Sequence, residues 1–135
     1  MKKARRTRER GNAMIESALT AVLLFMLTFG IVGFGRAVWA YGWVSHAARE
    51  ASRWAAVRGS QSGRAAATTD VTNFVTSELA GLSNNQNQLN VSTVWAPNND
   101  PGSYVQVTVQ YTCTQIVPWV PQIVVSSRSK MMIAQ

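Results

Sequence analysis

From Ser17 to Gly35 the chain reads SALTAVLLFMLTFGIVGFG, nineteen residues without a single charge. At about 1.5 Å per residue a helix of that length covers roughly 28 Å, close to the hydrocarbon thickness of a bilayer, so the pattern predicts one transmembrane helix. Its polar flanks differ. A dense cationic run precedes it and only Arg36 follows, which by the positive-inside rule places the N-terminus in the cytoplasm and the rest of the chain outside. Trp39, Tyr41 and Trp43 come next, at the depth where aromatic rings settle at the membrane interface, and they are predicted to anchor its outer boundary.

Beyond the span the period changes without a break. Trp43, Val44, Ala47, Ala48, Ala51, Trp54 and Ala55 recur at steps of three and four, while His46, Arg49, Glu50 and Arg53 share another face. The helix is therefore predicted to continue outward to about Val57, and its apolar stripe needs a cover. The remaining residues supply one. After the flexible RGSQSG, the residues Val71, Phe74, Val75 and Leu79 mark a short helix opened by Thr69 and Asp70 and closed near Gly81. A polar loop, SNNQNQ, leads to a weakly alternating strand over residues 89–95. YVQVTVQYT then places Val105, Val107, Val109 and Tyr111 on one face of a second strand. Pro118 and Pro121 forbid a central strand, and VVSSRSKMMI returns as a third. The fold class is thus α+β: a long N-terminal helix, transmembrane and continuing outside, with a short helix and a small antiparallel sheet of about three strands.

Charge changes less than it first promises. The chain of 135 residues carries a formal net charge of +7, but Lys2, Lys3, Arg5, Arg6, Arg8 and Arg10 hold six of its thirteen basic residues. Residues 12–135 have seven Lys or Arg against five Asp or Glu, so no nucleic-acid partner is expected. The basic cluster is a topology signal. Cys113 is the only cysteine, which removes any internal disulfide and any zinc site built on several thiolates. His46 is the only histidine and the carboxylates lie scattered, so no catalytic residues, metal site or cofactor are expected. GIVGFG, residues 30–35, lacks the spacing of a phosphate loop and suits helix packing or local melting instead. A secretory signal cut after Ala40 ranks lower, because Arg36 and Trp39 occupy positions that want small neutral residues.

One residue stays unexplained by topology. Glu16 sits beside the apolar run, where a carboxylate costs on the order of 3 kcal/mol at mid-depth and less toward the edge. The helix macrodipole returns only about 0.3 to 1 kcal/mol at that end. Gly11 followed by Glu16, with a basic leader before and an apolar helix after, resembles a class III prepilin signal. With FGRA at residues 34–37 and HAAREASRWAA at 46–56, the stretch from Gly11 to Gly59 resembles the TadE-like family of tight-adherence (Tad) pilus proteins.

That resemblance implies a pilin-like fold in three parts: a leader over residues 1–11, a long helix over 12–58 and an extracytoplasmic domain over 65–135. It implies cleavage between Gly11 and Asn12 by a prepilin peptidase, and a role for Glu16 in assembly. The expected function is that of a minor pilin or pseudopilin, a single-pass protein of the bacterial cytoplasmic membrane that enters or primes a pilus used in adhesion. The expected partners are the peptidase, the major pilin and other minor pilins, the inner-membrane assembly platform with its ATPase, and membrane lipid. Two other classes stand beside it: an uncleaved, signal-anchored envelope binding module, and a tethered hydrolase built from residues such as Asp70, Glu78 and Asp100.

Overall fold

The computed structural model describes residues 3–81, 88–113 and 122–134, with side chains from Gly11 onward. Lys2, residues 83–87 of the expected polar loop, and Pro118 and Pro121 lie outside the described residues. The elements run α1 (Lys3–Ala56), α2 (Thr68–Glu78), β1 (Leu89–Ala96), β2 (Tyr104–Cys113) and β3 (Ile123–Met132). The chain divides into two compact units, Met1–Arg36 and Ala37–Gln135, and α1 contributes to both.

In the first unit α1 has no covering layer. Leu23, Phe25, Leu27, Ile31 and Phe34 are each more than half exposed, and Phe25 and Phe29 meet ring to ring at 6.5 Å. The helix is long and apolar enough to cross a membrane. It also begins earlier than the apolar pattern implies: the backbone is helical from Lys3, straight through Gly11. A lone glycine costs a helix interior about 1 kcal/mol, which a long cooperative helix absorbs.

The second unit is a helix pair packed on one face of a sheet. Ala40, Val44, Ala47, Ala48, Ala51, Ser52, Ala55 and Ala56 form the buried stripe of α1, at the spacing that repeats every turn. Trp43, expected on this stripe, is exposed, and Trp54 is half-buried at its rim, because both lie at the edge of the arc that the buried residues span around the helix.

The sheet is an antiparallel meander in the order β1-β2-β3. Val105, Val107 and Val109 are fully buried and Tyr111 nearly so, each valine contributing about 1.5 to 3 kcal/mol of apolar burial. The register fixes what flanks them: Val107 lies between Thr93 and Ser129, Val109 between Val91 and Ser127, and Tyr111 between Leu89 and Val125. The middle of the inward face of β3 is thus formed by two serines, Ser127 and Ser129. Ser52 Oγ lies 2.8 Å from the Arg49 carbonyl and 2.7 Å from the Ser129 hydroxyl, so these two serines are paired across the helix–sheet contact, while the Thr93 hydroxyl beside Val107 is buried without a partner among the described residues.

α2 closes the core from beside β1 with Val71, Val75 and Leu79. Ala67 caps it; Asp70, three residues on, accepts the Ala67 N–H at 3.0 Å. Trp54 stacks on Phe74 at 5.2 Å while the Arg58 guanidinium lies 4.1 Å from the indole centroid, joining the end of α1 to α2. Trp54→Ala is expected to cost about 2 kcal/mol and to loosen α2 selectively. Faster amide exchange at Val71 and Val75 reads this out, and unchanged exchange there contradicts it.

The β1–β2 turn is tied down on three sides. Asp100 accepts from Ser60 Oγ and Asn98 Nδ2, each at 2.5 Å, and the Ser60 N–H donates to the Asn99 carbonyl at 2.8 Å. Gly102, at φ +86°, takes the left-handed conformation that other residues avoid and donates to the Ile133 carbonyl. The Ala134 N–H reaches the Ala56 carbonyl at 2.9 Å, so the end of the chain returns to the end of α1.

Candidate functional site

The residues singled out in the sequence gather on the first part of α1. Gly11 and Asn12 are exposed within continuous helix, and a Cβ built on Gly11 meets nothing within 4 Å. Packing inside this chain therefore gives no reason for a glycine at that position. Lys3, Arg5, Arg6, Arg8 and Arg10 fall on helical backbone in the turns before it.

Glu16 opens a shallow groove along the helix, lined by Ser17, Thr20, Ala21 and Leu24. The hydroxyls in and below the groove are satisfied by the helix itself. Ser17 Oγ donates to the Ala13 carbonyl, Thr20 Oγ1 to that of Glu16 and Thr28 Oγ1 to that of Leu24, each at 2.8 Å. Such bonds to the residue four back let Ser and Thr sit in an apolar helix without an orphaned donor. Glu16 is different: it is exposed, and among the described residues no basic side chain pairs with it. A carboxylate with no basic partner among the described residues, beside hydroxyls that the helix satisfies, makes Glu16 the polar group here that stands ready for an outside partner.

The aromatic residues after the span are all exposed. Trp39 and Trp43, one turn apart, meet at 5.8 Å on one side of α1, while Tyr41 projects from another. His46 is exposed and Glu50 half-buried, with no ion pair between them. Gly30, Gly33 and Gly35 leave α1 unbroken, and a Cβ at any of them meets nothing within 4 Å. Local melting at these glycines is therefore not seen.

Two of the three carboxylates considered for chemistry hold structure instead, and the three are not brought together. Asp70 holds the start of α2, Asp100 holds the β1–β2 turn, and Glu78 is exposed at the end of α2. Cys113, half-buried at the end of β2, packs against the core. Among the described residues no group of three His, Cys, Asp or Glu could hold a metal ion.

Sequence reasoning missed two contacts, the Ser52–Ser129 pair and the stack of Arg58 on Trp54 on Phe74. The first has no local signal, since its partners lie 77 residues apart. The second has a partial one, because Trp54 and Arg58 are four apart on a helix.

Comparison with known proteins adds one match. Residues 11–53 match the family described as TadE-like protein, which covers about a third of the chain and, in this fold, belongs entirely to α1. The match points to a protein associated with the Tad pilus. No curated protein and no solved structure matches the chain.

Proposed function

We propose that this chain, TadE-like over residues 11–53, is a minor pilin or pseudopilin of a Tad-type pilus. It is a structural protein rather than an enzyme. It waits in the bacterial cytoplasmic membrane with its N-terminus inside and its α+β domain outside, and contributes to pilus assembly, adhesion and surface attachment. One observation carries this reading: the first part of the family-matched segment is an exposed apolar helix whose one carboxylate, Glu16, stands five residues after Gly11 with no basic partner among the described residues.

Cleavage by a prepilin peptidase between Gly11 and Asn12 would do two things at once. It removes the six basic residues of the leader, and it leaves an α-amine on Asn12 that is cationic below a pKa of about 8. As helices bundle, that amine meets Glu16 of a neighbouring subunit. The pair offsets the desolvation of both groups, and because an amine has one position per chain it sets the axial register. Neighbours in this scheme are the major pilin and other minor pilins, delivered by the inner-membrane assembly platform. Trp39, Tyr41 and Trp43 hold the waiting subunit at the outer lipid interface.

Deleting the chain tests the reading. Loss of surface pili, restored by the intact chain supplied in trans, is the expected outcome; normal piliation without it contradicts the proposal.

A further inference from the structure

α1 passes through the Gly11–Asn12 bond as an unbroken helix, so the bond cut in the processing scheme is not presented as an accessible strand. Hydrolysis adds the oxygen of water to the Gly11 carbonyl carbon, breaks its bond to the Asn12 nitrogen and leaves that nitrogen with the proton. A protease needs an extended stretch for this, because it pairs with the backbone groups flanking the bond. In a helix those groups are already committed to partners four residues away. Cutting therefore waits on local opening.

We infer that the junction between leader and span, residues 8–14, is a helix built to open, and that its opening sets the rate of cleavage after Gly11. The inference rests on the processing scheme above, and separate observations give it physical content. Gly11 and Asn12 are adjacent weak helix formers, and Gly11 serves no packing contact. The first turn of α1 holds no acidic residue to favour its positive end. Arg5 and Arg8 are three apart and Arg6 and Arg10 four apart, spacings at which like charges oppose a helix, with Glu9 as the one acid among them.

On the other side of the bond the conditions reverse. From Ile15 onward the exposed apolar residues lead into the span, where lipid offers backbone groups no alternative partner and holds the helix closed. Opening is thereby confined to the leader side and stops at the span. The cut falls at that boundary.

The test uses the full chain in detergent micelles, with Gly11 and Glu16 untouched and helix propensity changed beside them. Ala13→Gly is expected to raise the open population about fivefold and Asn12→Ala to lower it about threefold. Amide exchange at residues 11–14 reads the opening directly. Trypsin cutting after Arg10, quantified by mass spectrometry, reads it with an enzyme indifferent to prepilin features. Prepilin peptidase should follow the same order, Ala13→Gly faster than the parent and Asn12→Ala slower. Exchange and trypsin rates that do not change across the three chains overturn the opening helix. Peptidase rates that ignore an order seen in exchange overturn opening as the step that sets the rate. If trypsin follows the order and the peptidase cuts none of the chains, the processing scheme falls while the opening itself stands.

Discussion

Val107→Asp is expected to unfold the outer domain while leaving the chain anchored in the membrane. Val107 is fully buried at the centre of the middle strand, between Thr93 and Ser129 and beneath the alanine stripe of α1. The change removes about 2 kcal/mol of apolar burial and sets a carboxylate where no basic group can reach it, for a total on the order of 5 kcal/mol. That is comparable to the whole stability of a small domain. Residues 1–36 form a separate compact unit and do not depend on the sheet for their helix. The control is Thr108→Asp, one residue along and on the opposite face, directly across from Arg128. It should shift stability by no more than about 0.5 kcal/mol. Protease resistance of the outer domain in micelles separates the two, and equal resistance of both variants contradicts the assigned core face.

Glu16→Ala should lower incorporation into filaments at least tenfold with no change in expression, membrane insertion or the fold of residues 37–135. The side chain is exposed and among the described residues makes no ion pair that its loss would disturb, so a large effect is expected to arise between subunits. A tenfold loss corresponds to about 1.4 kcal/mol, well within what one charge pair contributes when it is drawn out of water. Glu16→Gln keeps the shape and removes the charge, and should behave like alanine. Glu16→Asp keeps the charge on a shorter arm and should recover part of the loss. Normal piliation in Glu16→Ala contradicts the register mechanism and favours an anchored binding module, for which this carboxylate has no task.

Much of this fold could be read from local pattern, because its strongest constraints are local. The strict alternation of Val105, Val107, Val109 and Tyr111 is the signature of a strand with one buried face, and all four are buried. The uncharged run from Ser17 to Gly35 can only be a helix exposed to something apolar. The recurring alanines after it identify the part of α1 that touches the sheet. Pattern failed where the edge of a face and long-range pairing decide. Trp43 and Trp54 recur at helical steps, yet at 100° per residue both fall at the edge of the buried stripe, so Trp43 is exposed and Trp54 packs on the core from its rim. Ser52 and Ser129 are polar in sequence and buried or half-buried in the fold, because each supplies the other's hydrogen bond across 77 residues. The start of α1 was hidden for another reason. Gly11 marks a weak point at which a helix can end, but in the structure α1 runs through it.

The candidate site was legible through a chemical anomaly. Glu16 is conspicuous because a carboxylate beside a membrane span costs free energy that the helix macrodipole returns only in part, and among the described residues no basic side chain pairs with it while the hydroxyls around it are bonded. The missing partner is assigned to a terminus that exists only after cleavage.

The intact mass of the chain purified from membranes of piliated cells tests this account most directly. A mass and N-terminal sequence beginning at Asn12 are the expected result. A chain that retains Met1 through Gly11, or one that begins at Tyr41, would contradict it.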